Sequence, residues 1–76
     1  ILLNDDVTPV DFVVSLLMEV FKHDPNSAGI ITMQVHETGS AVAGVYNFEI
    51  AEIKSVEATS LARSSGFPLQ IKMEEE

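Results

Sequence analysis

Ile1-Leu2-Leu3-Asn4-Asp5-Asp6-Val7-Thr8-Pro9 runs from three apolar residues, through an amide and two carboxylates, into a helix start signal. The apolar triplet predicts a short buried strand. Thr8-Pro9-Val10-Asp11 predicts a helix, with Thr8 as cap, Pro9 presetting φ at the first helical position and Asp11 reaching back as a short capping-box partner. A strand that stops where a helix starts makes a rigid corner. Asn4, Asp5 and Asp6 on that corner are hydrogen-bond acceptors suited to one positively charged, multi-donor group such as an ammonium.

Downstream of the corner, Phe12, Val13, Leu16, Leu17, Val20 and Phe21 recur at i, i+1, i+4, i+5 spacing, one face of a helix running to about Lys22. Asp24-Pro25 predicts a second helix by the same cap and proline signal. Ile30, Ile31, Met33 and Val35 form its expected apolar side, and Gly39 is its left-handed stop. Gly29 weakens that helix by about 1 kcal/mol relative to Ala, so tertiary packing must hold it. Ala41-Val42-Ala43-Gly44-Val45-Tyr46 predicts a central strand with Gly44 at a close backbone approach. Asn47 caps a third helix, with Glu49 and Glu52 near its positive end and Gly66-Phe67-Pro68 closing it. Leu69 to Met73 predicts a final strand, and Glu74-Glu75-Glu76 a solvated tail. The order is β-α-α-β-α-β: a small α+β domain over 1–76, its three helices on one face of a three-stranded sheet.

Seventy-six residues make one domain with a modest core and a thin margin of stability. With no cysteine, neither a disulfide nor a thiolate metal site can reinforce it. Apolar runs of a few residues fall far short of a membrane span, and no signal or transit pattern is visible. Twelve Asp and Glu against four Lys and Arg give a formal charge of −8. That balance disfavours nucleic acid and anionic membranes, and favours cationic partners.

His36 stands near the end of the second helix, with Thr32 and Met33 on the same face. The helix dipole favours its cation there; when neutral, one ring nitrogen accepts a hydrogen bond. Asp5, Asp6 and His36 superficially offer a general acid and base, or a metal site. The chain, however, has no phosphate loop, no nucleophile elbow and no paired-histidine helix motif. A binding site fits better. An α-ammonium presents three donors, which Asn4, Asp6 and neutral His36 would satisfy without chemistry. Leu2, Leu3, Val10, Val13, Met33, Val35 and Leu69 are available as walls for an adjacent side chain, although each taken singly reads first as ordinary core.

Asn4-Asp5-Asp6-x-Thr8-Pro9 followed by Phe12-Val13-Val14 resembles the opening signature of the ClpS family of proteolytic adaptors. Val35-His36-Glu37-x-Gly39 resembles its histidine motif. Gly44-Val45-Tyr46, Glu49-Ile50-Ala51-Glu52-x-Lys54, Leu61-Ala62-Arg63 and Pro68-Leu69 continue the match along essentially the whole chain. The resemblance implies the same β-α-α-β-α-β fold and a non-enzymatic adaptor with no cofactor and no metal. Such an adaptor captures proteins whose first residue is Leu, Phe, Tyr or Trp (N-degron substrates) and delivers them to a Clp AAA+ unfoldase of the ClpA or ClpC type. It implies a bacterial cytoplasmic setting, with the plastid stroma as second choice.

By the same resemblance, Asn4, Asp6 and His36, with Asp5 beside them, hold the substrate's α-amino group. Leu2, Leu3, Thr8, Val10, Val13, Thr32, Val35 and Leu69 wall the side-chain pocket, and Glu49 and Lys54 face the unfoldase's N-terminal domain. Val10 and Thr32 stand where the family usually has methionine. Valine predicts a wider or differently shaped pocket mouth, and threonine adds a hydroxyl to an apolar wall. Ala43 and Phe67 replace a usual cysteine and histidine away from the clamp. These departures suggest a divergent second paralogue. The competing expectation is an acidic protein-interaction module without an N-terminal residue pocket.

Overall fold

A computed structural model describes residues 1–74. The elements are β1 (Leu2–Leu3), α1 (Val10–Glu19), α2 (Pro25–Thr38), β2 (Ser40–Ala41), α3 (Phe48–Ser64) and β3 (Gln70–Ile71). Three helices and a three-stranded antiparallel sheet, in the predicted order, make up the fold. Leu2 and Leu3 pair with Ala41 and Ser40 on one side and with Ile71 and Gln70 on the other.

That pairing corrects one expectation. The sheet order is β2-β1-β3, so β1 is central and the strand predicted through Tyr46 is a two-residue edge. Past Ala41 the backbone is drawn into other contacts. His23 Nε2 donates to the Ala43 carbonyl at 2.5 Å, and the Tyr46 ring folds against Gly44. A Cβ on Gly44 would lie 2.6–2.9 Å from that ring and its hydroxyl. The close approach predicted at Gly44 is real, but it is to a side chain. The final strand is likewise shorter than predicted, although Lys72 N–H still donates to the Ile1 carbonyl at 2.8 Å. Of the acidic tail, Glu74 is exposed beside Lys72, and Glu75 and Glu76 lie outside the described residues.

Helix starts and stops follow local chemistry. Pro9, not Thr8, occupies the cap position of α1, and no side-chain bond closes that end, from Thr8 or from Asp11. Lys22 adopts φ 60°, which a continuing helix cannot use, so α1 stops before the predicted Lys22. Asp24 and Pro25 open α2, and Gly39 closes it at φ 90° as predicted. Asn47 caps α3 by accepting from Ile50 N–H at 3.0 Å.

The interior is built mainly by α1. Val13, Leu16, Leu17, Val20 and Phe21 join Leu2, Val35 and Leu69 in one core, with Ala58 and Ala62 of α3. The predicted inner side of α2 holds at Val35 and at the half-buried Ile31 but needs correction elsewhere: Ile30 and Met33 are exposed, and the buried set is Ala28, Thr32 and Val35. Their i, i+4, i+7 spacing is a clean helical stripe. Its small members leave interior volume to the leucines of α1. Phe67 meets Phe12 edge to face with ring centres 4.8 Å apart. Lys54 Nζ donates to the Val20 carbonyl at 2.7 Å, tying α3 to the end of α1.

Candidate functional site

The corner between β1 and α1 is fastened at two points. Asn4 N–H donates to the Gly39 carbonyl at 2.9 Å, holding the corner against the end of α2, three residues after His36. One residue further on, the Asp5 carboxylate folds back along the chain. Its Oδ1 accepts from Val7 N–H at 2.8 Å and Thr8 N–H at 2.7 Å, and its Oδ2 accepts from the Thr8 hydroxyl at 2.7 Å. Thr8, predicted as a helix cap, is therefore a donor to Asp5. Asp-x-x-Thr is a local side-chain-to-backbone pattern that the sequence offered and the capping reading overlooked.

Burial raises the Asp5 carboxyl. The Thr8 hydroxyl and N–H, the Val7 N–H and the charge of Arg63 outweigh it and hold the group below the ordinary carboxylate value. The stabilisation this gives the fold is present above about pH 4 and fades as the pH falls through the lowered value.

Asn4 and Asp6 flank this knot with exposed side chains, and His36 is exposed on the last turn of α2. The bonds of the corner engage Asp5 and Thr8, and leave the Asn4 amide and the Asp6 carboxylate facing outward. Among the described residues no group of three or more His, Asp or Glu is placed to hold a metal ion.

The eight expected wall residues divide. Leu2, Val13, Thr32, Val35 and Leu69 are buried in the interior, Leu3 and Thr8 are half-buried, and Val10 is 51% exposed on the first turn of α1. The Thr32 hydroxyl, expected to add polarity to an apolar wall, donates to the Ala28 carbonyl at 2.7 Å and is satisfied within its own helix.

Two hollows open elsewhere. One, of about 650 Å³, runs along the outer face of α2 between Gly29, Ile30 and Met33. The other, of about 780 Å³, lies between the Val42–Tyr46 segment, the start of α3 and the end of β3. Neither takes in Asn4, Asp6 or His36. The second is bordered by Val42, Val45 and Phe48, which are exposed. Glu49 is exposed on the first turn of α3, and Lys54 is half-buried, with its ammonium on the Val20 carbonyl. Sequence reasoning missed that bond and the exposed Phe48, because neither periodicity nor capping reports which helix face is left uncovered.

Comparison with known proteins gives this architecture a class. The structure of Agrobacterium tumefaciens ClpS2 bound to L-phenylalaninamide superposes with a TM-score of 0.95 at 44% identity, covering 99% of this chain and 90% of that one. The model of the family "ATP-dependent Clp protease adaptor protein ClpS" matches residues 1–72. The ClpS adapter of Maricaulis maris is 43% identical over all of this chain and 70% of its own length. That of Helicobacter hepaticus is 43% identical over 99% of this chain and 76% of its own. The chain belongs to the ClpS family of Clp protease adaptors.

Proposed function

We propose that this adaptor recognises N-degrons: it binds the free α-amino group and bulky apolar first side chain (Leu, Phe, Tyr or Trp) of a substrate and presents it to a Clp AAA+ unfoldase. The ligand of the A. tumefaciens relative carries the reading. L-phenylalaninamide has one α-ammonium and one benzyl group, the two features of an N-terminal phenylalanine. In this chain the α-ammonium is assigned to Asn4, Asp6 and His36, at the corner that Asn4 N–H fastens to the end of α2. The first side chain is assigned to the region of Leu3, Thr8 and Val10, backed by Leu2, Val13, Thr32, Val35 and Leu69.

Magnitudes agree with such a ligand. Burying one large side chain contributes about 1.5–3 kcal/mol, and each charge-assisted hydrogen bond about 1.5–3 kcal/mol. Three such bonds and one side chain together outweigh the cost of association and reach micromolar affinity or better.

The partner face is assigned to α3. Glu49 in its first turn and Lys54 are assigned to it, beside Phe48, Ile50, Ile53 and Val56, which lie exposed along the helix, as a surface for the N-terminal domain of a ClpA- or ClpC-type unfoldase. The activity is assigned to the bacterial cytoplasm, a reading supported by the bacterial origin of the ClpS adapters it resembles.

A fluorescent Phe-initiated peptide and its acetylated twin test the clamp. The free peptide binds at high salt, acetylation abolishes binding, and His36→Ala and Asp6→Ala each weaken it more than about tenfold while the fold survives. Binding that is indifferent to acetylation and lost in salt would instead mark an acidic docking module.

A further inference from the structure

We propose that Asp5 is a positioning residue of this clamp, a staple that shapes the corner and not a ligand of the ammonium. The assignment rests on the N-terminus reading above. Of the three acidic or amide side chains in Asn4-Asp5-Asp6, only the middle one turns back on its own loop. It accepts three bonds of 2.7–2.8 Å from Val7 and Thr8. A carboxylate has about four lone-pair positions, so most of its accepting capacity is already filled. Asn4 and Asp6, by contrast, are exposed.

The staple also sits where fixing the backbone matters. Asn4 is tied by its own N–H to Gly39, and Pro9 has a fixed φ at the head of α1. Between those points, residues 5–8 have no sheet partner and no helical ladder. The Asp5 bonds to Val7 and Thr8 are what span that gap. With them in place Asp6 is presented from a formed turn. Without them, the same turn must be ordered each time a ligand binds, and affinity falls by the cost of that ordering. Thr8 contributes through both its N–H and its hydroxyl, so the pair works as a unit.

Charge and geometry separate in one substitution. Asp5→Asn keeps an oxygen for the two backbone N–H groups and offers an NH2 to the Thr8 hydroxyl, so it preserves the staple while removing the charge. Asp5→Ala removes both. Peptide affinity is measured by fluorescence anisotropy with the Phe-initiated peptide, alongside amide hydrogen exchange at Val7 and Thr8.

The staple assignment expects Asp5→Asn to bind within about threefold of the parent protein, whereas Asp6→Asn loses about tenfold or more. Asp5→Ala, folded by circular dichroism, should lose about fivefold or more and exchange faster at Val7 and Thr8. If Asp5→Asn binds as poorly as Asp6→Asn, or Asp5→Ala binds as tightly as the parent, the assignment is overturned while the clamp stands. If the unsubstituted protein ignores the free N-terminus, clamp and staple fall together.

Discussion

The first and third helices divide their labour unequally. α1 spans Val10–Glu19 and buries Val13, Leu16 and Leu17; α3 spans Phe48–Ser64, more than half as long again, yet buries only Ala58 and Ala62. Four of the five larger apolar residues of α3, namely Phe48, Ile50, Ile53 and Val56, remain in solvent, and only Leu61 packs against the core. An apolar side chain stabilises a fold only by the area it removes from water. By that measure α1 holds the domain together, whereas α3 meets the core through Ala58, Ala62 and a half-buried Leu61 and leaves much of its apolar surface exposed. Exposed apolar area clustered on one helix is the ordinary mark of an interaction surface.

The sharpest way to break this contrast is to hollow out α1. Leu16 is fully buried, and Leu16→Ala should cost about 2–5 kcal/mol. In a domain this small that is a large share of total stability. Urea unfolding should show the midpoint falling without a change in slope. A loss under about 1 kcal/mol would mean that α1 is no more essential than α3. The converse experiment overfills the inner face of α3. Ala62 is completely buried, so Ala62→Leu forces an extra three carbons into a closed space and should cost about 1–3 kcal/mol. Tolerance of leucine there would show α3 lying loosely on the core.

The same division explains what the sequence made legible. The i, i+1, i+4, i+5 spacing of Phe12 to Phe21 identified the inner face of α1, because leucine and valine on one stripe leave little choice of side. Asn47 and Gly39 marked helix ends through hydrogen-bonding and φ requirements that are local and hence readable. The inner face of α2 was half misread: Ile31 and Val35 pack inward as expected, but Ile30 and Met33 lie outward, while Ala28 and Thr32 face in. Size ranks hydrophobicity, but packing against α1 selected the small residues. The strand predicted through Tyr46 failed for a non-local reason: His23, twenty positions away, takes the Ala43 carbonyl.

At the candidate site, the polar corner and the histidine were recognisable by residue type. The inward set Leu2, Val13, Thr32, Val35 and Leu69 could not be divided in advance into pocket wall and core. That division depends on distances between elements, which no spacing along a chain encodes. The Asp5–Thr8 staple was within reach of the sequence, since its partners are two and three residues apart, but Thr8 fitted a capping pattern equally well.

A smaller effect sharpens the comparison at the helix ends. Asn47 closes α3 with a side-chain bond to Ile50 N–H, whereas α1 has no side-chain cap. Asn47→Ala should destabilise by about 1 kcal/mol, and Asn47→Asp by little, since a carboxylate there also accepts and favours the helix dipole. Thermal unfolding of the two variants separates cap loss from loss of the amide itself. If both are equally impaired, the side chain serves the neighbouring Tyr46 loop and not the helix end.

The smallest effect on stability should be the most informative about function. Ile53 is 52% exposed in the middle of α3, so Ile53→Ser should change unfolding free energy by no more than about 0.5 kcal/mol. If α3 holds its apolar face for a partner, the same variant should bind the isolated N-terminal domain of a Clp unfoldase about tenfold more weakly, as expected for the loss of a central apolar contact. Its affinity for a Phe-initiated peptide should stay unchanged, because α3 contributes no residue to the proposed clamp. A stability loss of about 2 kcal/mol would place Ile53 functionally in the core and erase the difference between the helices. Unimpaired unfoldase binding would leave the exposed face of α3 without its assigned occupant, while the N-terminus clamp, tested by the peptide alone, would be untouched.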